Sequence, residues 1–151
     1  SGSHVKYPLR VKVDACRDGY IRCLTTQDMT TTIGQMYILS GSETAAKALL
    51  NQLAADVHAN EPDTLLYLIH MPDASGVSMP PTSAGEVTFV EVYKDEAAFK
   101  AHLSGPAFTT FVAKSKGLFL TTENKAPDGT TVTSLFATFA AVDRLAGFSR
   151  S

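Results

Sequence analysis

The sequence predicts an α+β domain whose elements follow the order β-α-β-β-α-β. Three observations predict it. A long stretch, Ser42–Asn60, repeats its apolar residues at helical spacing between two strand-like runs. Two further runs, Leu65–Ile69 and Val87–Tyr93, are apolar at all or nearly all positions. A second helical stretch is then interrupted by Gly105-Pro106. The chain has 151 residues, enough for one domain with a real core, and its 44% hydrophobic and 19% charged residues are an ordinary globular balance slightly poor in charge.

The first element begins after an N-terminal stretch that stands apart. Ser1-Gly2-Ser3-His4 reads as a cloning remnant (residues 1–4) and carries no fold information. Leu9, Val11, Val13 and Ala15 alternate with Arg10, Lys12 and Asp14, and Asp18-Gly19 precedes Tyr20–Leu24. That pattern predicts an extra N-terminal β-hairpin with one wet face. The polar Thr25–Thr32 reads as a linker, so residues 5–32 form hairpin and linker, 33–140 the main domain, and 141–151 a tail.

In the main domain, Ile33–Ser40 reads as a strand. Ser42 suits an N-cap, with Glu43 in the first helical turn. Ala46, Leu49, Leu50, Leu53 and Val57 make the following helix amphipathic, and Glu61-Pro62-Asp63 ends it. The strand Leu65–Ile69 comes next, then a Pro-, Ser- and Gly-rich loop over Met71–Gly85, then the strand Val87–Tyr93. Asp95 is placed to cap a short helix carrying Ala98, Phe99 and Leu103. Gly105-Pro106 breaks it, and it restarts with Phe108, Phe111 and Val112 expected inside, proline being suited to a first helical position. Leu118–Thr121 and Val132–Phe139, separated by a Pro127-Asp128-Gly129 turn, both qualify as the fourth strand.

This order is the split pattern of a ferredoxin-like fold. Two helices cover one face of such a sheet, yet Leu65–Ile69 has no polar side. The opposite face therefore needs a cover, and a second copy of the sheet, giving a homodimer, is the economical one. The N-terminal hairpin is the competing cover.

Three segments carry a family resemblance: Glu61-Pro62 followed by Leu66-Tyr67, then Glu91-Val92-Tyr93-Lys94-Asp95-Glu96-Ala97 running on to Ala101-His102, then Pro106-Ala107-Phe108. In this order and spacing the chain resembles the antibiotic biosynthesis monooxygenase family over about Ile33 to Phe111. Asp63 departs from the glycine usual there, and Met71–Gly85 is a long insert. The resemblance implies a dimeric α+β barrel. It also implies oxygenation of a phenolic, quinol or anthrone-like small molecule by O2 with no cofactor. The haem-degrading branch fits poorly, because the chain has no Trp and His102 precedes the Gly105-Pro106 break.

Such chemistry asks for a base, a dry pocket and donors for an anion. His102 is the candidate base, on the apolar stripe of the second helix after Ala98 and Phe99. The alternative is a structural histidine bonded to a neighbour, with Glu91 as one candidate. Glu91, on the same strand face as Phe89 and Tyr93, is open to pairing or to a role in binding substrate. Tyr67 and Tyr93 could hold an anionic oxygen or simply pack. Phe99, Phe108 and Phe111 form an aromatic stripe that is core, pocket wall or both. His58 and His70 are expected at the surface.

No metal site is expected, since His58 and His70 lack Cys or carboxylate partners at ligand spacing. The 13 Lys and Arg are scattered against 15 Asp and Glu, for a net charge of −2, which points away from nucleic acid. No apolar run reaches the ~18 residues that span a bilayer, so no membrane partner is expected. Cys16 and Cys23 are too few for a disulfide scaffold and are expected as free thiols, with a cytoplasmic location.

Overall fold

The computed structural model describes residues 29–143 and 145. The expected N-terminal hairpin, both cysteines and the first part of the linker lie outside the described residues. Strand β1 (Thr30–Tyr37) leads into helix α1 (Glu43–Asn60), then strands β2 (Thr64–His70) and β3 (Glu86–Tyr93). Helices α2 (Glu96–Ser104) and α3 (Pro106–Lys114) follow, then strands β4 (Thr121–Lys125), β5 (Thr131–Leu135) and β6 (Thr138–Val142). The antiparallel main sheet has the order β2-β3-β1-β6, so the ferredoxin-like α+β reading holds. β4 and β5 form a separate two-stranded ribbon.

The fourth strand is neither of the two expected segments as drawn. β6 shares only Thr138 and Phe139 with Val132–Phe139 and runs on to Val142. Leu118–Leu120 also lies along β1: Leu39 N donates to Leu118 O and Leu120 N to Tyr37 O. Tyr37 and Leu39 use the edge of β1 opposite to that of Ile38, whose N–H donates to Gly85 O. The edge that β6 occupies at Thr31–Gln35 is thus continued by Leu118–Leu120. Two segments share one position, which is why the pattern nominated both. The β4–β5 ribbon turns at Pro127-Asp128-Gly129 as expected; Asp128 Oδ1 accepts from Thr130 N and Gly129 has φ +85°.

Two other boundaries moved. Thr30–Thr32, read as linker, belongs to β1, and Thr32 is buried. Ser42 stands at the N-cap of α1, but its side chain makes no capping bond there; its hydroxyl donates to Gly117 O at 3.4 Å. Asp95 does cap α2, accepting from Ala98 N at 2.8 Å.

The core lies between the sheet and α1 and α3. Ala46, Leu50, Leu53 and Val57 of α1 pack with Met36, Val87 and Phe89 of the sheet and with Ala107, Phe111 and Phe119. Val112, expected inside, is exposed, as is Leu103 on α2, because α2 and α3 each bury a narrow stripe. Gly34 faces Phe139 across the β1–β6 pair, and a Cβ at Gly34 would fall within that ring. Phe139 in turn packs on Phe89.

Register sorts the sheet residues into two faces. Thr32, Met36, Val87, Phe89, Glu91 and Tyr93 are buried towards the helices. On the other face Leu66, Val92, Thr31 and Val142 line up across the strands, as do Leu68, Val90, Ile33 and Ala140. A bulge at Leu65 places Leu65 and Leu66 both outward.

Candidate functional site

The site forms where the end of α1 meets α2. The Asp95 cap sets the start of α2, and the Gly105-Pro106 break ends it, so His102 falls on its last turn facing the sheet. His102 is the buried residue of α2, with 3% of its surface exposed. Gly105 is needed at the break, since a Cβ there would meet Ala101 O at 2.8 Å.

His102 Nδ1 lies 2.8 Å from Glu61 Oε2. Glu61 closes α1, its N–H bonded to Val57 O, and the turn that follows brings Thr64 Oγ1 to donate to the same carboxylate at 3.1 Å. The partner of His102 is therefore Glu61, not Glu91. A carboxylate on Nδ1 fixes the tautomer that keeps a proton there and leaves Nε2 with its lone pair. Glu61 Oε1 is buried with no hydrogen-bond partner among the described residues. The rings of Tyr67, Tyr93 and Phe108 stand 5.4, 5.5 and 5.3 Å from the imidazole.

Glu91 belongs to a second polar group beside the first. Thr32 Oγ1 donates to its Oε2 at 2.6 Å and the Tyr93 hydroxyl to the same oxygen at 3.0 Å. Burial pushes the Glu91 carboxyl above the ordinary carboxylate range, against the pull of these two hydrogen bonds and of His102. Burial, then the nearby Glu91, likewise pushes the Tyr67 and Tyr93 phenols above the ordinary tyrosine range, so both remain donors.

Beside the pair opens a cleft of about 240 Å³, walled by Asn60–Thr64 on one side and by Ala98, Ala101, His102, Gly105 and Pro106 on the other. Of the residues expected at the site, His102 lines this cleft. Tyr67, Tyr93 and Phe108 pack around the imidazole, Phe99 packs on Tyr93, and Phe111 sits in the core against Phe119. Glu91 is buried behind Tyr93. His58 and His70 are exposed, as expected. Among the described residues no group of three or more His, Cys, Asp and Glu could hold a metal ion, and no helix is long and apolar enough to cross a membrane.

Sequence reasoning missed Glu61 and Thr32 as members of the site. Glu61 stood in the Glu61-Pro62 segment of the resemblance, but nothing local says that its carboxylate reaches a histidine 41 positions on. Thr32 shares the alternation of Gly34 and Met36, which could have placed it inside.

A four-stranded antiparallel sheet with helices on one face, and a histidine–carboxylate pair where those helices meet, define a ferredoxin-like α+β domain. The chain belongs to the antibiotic biosynthesis monooxygenase family, whose model matches residues 29–114. Solved structures agree on the fold. A protein from Caulobacter crescentus, named as an antibiotic biosynthesis monooxygenase, is 18% identical with a TM-score of 0.55, covering 78% of this chain and 92% of its own. One of the same name from Bacteroides thetaiotaomicron is 16% identical with a TM-score of 0.58, covering 83% and 98%. SnoaB, a cofactor-independent oxygenase from Streptomyces nogalater, is 11% identical with a TM-score of 0.56, covering 82% and 99%. At these identities the likeness is one of fold. No curated protein sequence matches the chain.

Proposed function

We propose that this protein is a cofactor-independent monooxygenase that oxidises a small, flat, apolar phenolic, quinol or polyketide-like molecule with O2. The observation that carries the reading is the buried pair of His102 Nδ1 and Glu61 Oε2, 2.8 Å apart, on the wall of a cleft. Glu61 orients the imidazole and stabilises it once protonated, and Nε2 takes the proton from the substrate. After that transfer the imidazolium and Glu61 together are neutral, so the transfer leaves no unpaired charge on these two largely buried side chains.

For an activated ring CH2 the sequence balances without a further reductant. His102 removes one proton, and the carbanion passes one electron to O2. The two radicals combine to a peroxide anion, which recovers a proton from His102 and loses water to leave a carbonyl. One CH2 and one O2 become one C=O and one H2O. Tyr67, Tyr93 and Phe108 hold the imidazole in place, and small or flat side chains (Pro62, Ala98, Ala101, Pro106) face the substrate.

The same fold serves the second reading, a dimeric module that binds a small ligand without turning it over. The three rings around His102 favour it, since they would equally hold a structural histidine. Oxygen uptake with a panel of quinols, naphthols and anthrones, from one ring to three, separates the two. For an enzyme, His102→Ala should lower turnover by about 10²–10⁴-fold while the assembly survives. A wild type that consumes no oxygen with any aromatic it binds sinks the oxygenase and leaves the binding module.

The same reading includes a homodimer formed through the open sheet face and a protein that works without nucleic acid, membrane or metal. The cytoplasm, where such a thiol-bearing chain stays reduced, is its proposed location.

A further inference from the structure

The walls of the cleft also limit what can enter it. About 240 Å³ is below the ~300–1,000 Å³ of pockets that take drug-sized ligands, so a one- or two-ring molecule fits better than a larger one. Its lining holds two carboxylates, Glu61 and Asp63, and no Lys or Arg. Asp63 is met by Lys94, its Oδ1 3.2 Å from Nζ, with both side chains more than half exposed. Glu61 has no such cation. Its Oε2 is held by His102 and Thr64, and its Oε1 is left without a partner among the described residues.

We propose that Glu61 makes the cleft selective for neutral, hydroxyl-bearing aromatics of one or two rings and turns away those that carry a carboxylate. The proposal rests on reading this cleft as the substrate site. A carboxylate entering it meets the Glu61 charge on the wall of an open cleft whose lining offers no Lys or Arg to offset the repulsion. A hydroxyl instead offers a proton to His102 Nε2 or a hydrogen bond to the unsatisfied Glu61 oxygen once the side chain shifts to meet it. Glu61 thus has two duties, orienting the base and sorting substrates by charge. The sorting is visible in binding alone.

Calorimetric titration of the whole chain with 6-hydroxy-2-naphthamide and 6-hydroxy-2-naphthoate tests this, because the two probes match in shape and differ in charge. The amide should bind about tenfold or more tighter than the carboxylate. Glu61→Gln, which removes the charge and keeps the size, should bring the two within about twofold of each other. Salt tests the wild type with no substitution: the preference should shrink as the screening length falls from about 30 Å at low salt to about 3 Å at high salt. Equal binding of the two probes, a preference that survives both Glu61→Gln and high salt, or no binding of either at millimolar concentration overturns the proposal. Should Glu61→Gln fail to fold, the salt series decides. Oxygen uptake is not read here, so a protein that prefers the amide without oxidising anything keeps this inference and loses the oxygenase. One that oxidises both classes of substrate does the reverse.

Discussion

The two faces of the main sheet are built from alternate residues of the same strands, and they carry different kinds of side chain. Towards the helices the strands place large aromatics and a few polar groups, Phe89, Tyr93, Tyr67, Glu91 and Thr32, each polar group except the Tyr67 hydroxyl bonded within the domain. Away from them they place aliphatics, with Ile33, Leu66 and Leu68 exposed by 45%, 39% and 41%. Two adjacent rows of aliphatic residues, interrupted only by Thr31, make an apolar patch of the kind that is normally covered. The helix face is covered within one chain and carries the His102–Glu61 pair, whereas the open face has no cover among the described residues. The difference teaches that the histidine–carboxylate pair can be assembled by one chain, and that association would act on stability more than on the pair itself.

The largest effect that could break this comparison comes from truncating one residue on each face. Phe89→Ala removes a fully buried ring and should cost about 3–5 kcal/mol in urea unfolding. Val90→Ala, its neighbour on the open face, should cost about 1 kcal/mol. Equal costs would mean that the open face is buried as deeply as the helix face, and the mass would then tell cover by a second copy from cover within the chain. The next effect is on mass. Leu68→Glu should leave the fold in place and halve the light-scattering mass, from about twice 16.1 kDa to 16.1 kDa. A wild type already at 16.1 kDa at micromolar concentration would remove the second copy as the cover.

Much of the fold was legible because it rests on periodicity. The helical spacing through Leu50, Leu53 and Val57 and the all-apolar Leu65–Ile69 each named one element and one neighbour. The Asp95 cap was legible because its bond is local, three residues long. Ser42 looked as good, yet its hydroxyl turns to Gly117, 75 positions away, a choice made by tertiary contact. The fourth strand failed for a related reason, since two segments satisfy the same edge of β1 and no local pattern ranks them. His102 was legible as a candidate because it interrupts an apolar stripe. Its partner was not, because the strand carboxylate Glu91 and the turn carboxylate Glu61 differ only in where α1 ends relative to α2. The cleft was illegible for the same reason: its walls come from a helix end, a turn and a helix break distant in sequence.

The smallest effect sharpens what the helix face costs the protein. Glu91 is buried, and its carboxyl is pushed above its ordinary value of 4.5 chiefly by that burial. The folded chain then holds a proton that the unfolded chain has already released, so this group's contribution to stability is fully present below the unfolded value and is lost as pH rises through the folded one. Glu91→Gln keeps an oxygen that can accept from both Thr32 and Tyr93 and removes the ionisation. Relative to wild type, the variant should therefore gain stability progressively as pH rises from 4.5 towards neutrality, with the two closest at the acid end. Urea unfolding of both proteins across that range reads the difference directly. Parallel curves would show that Glu91 titrates alike in the folded and unfolded chains, and the helix face would then be as tolerant of charge as the exposed surface is.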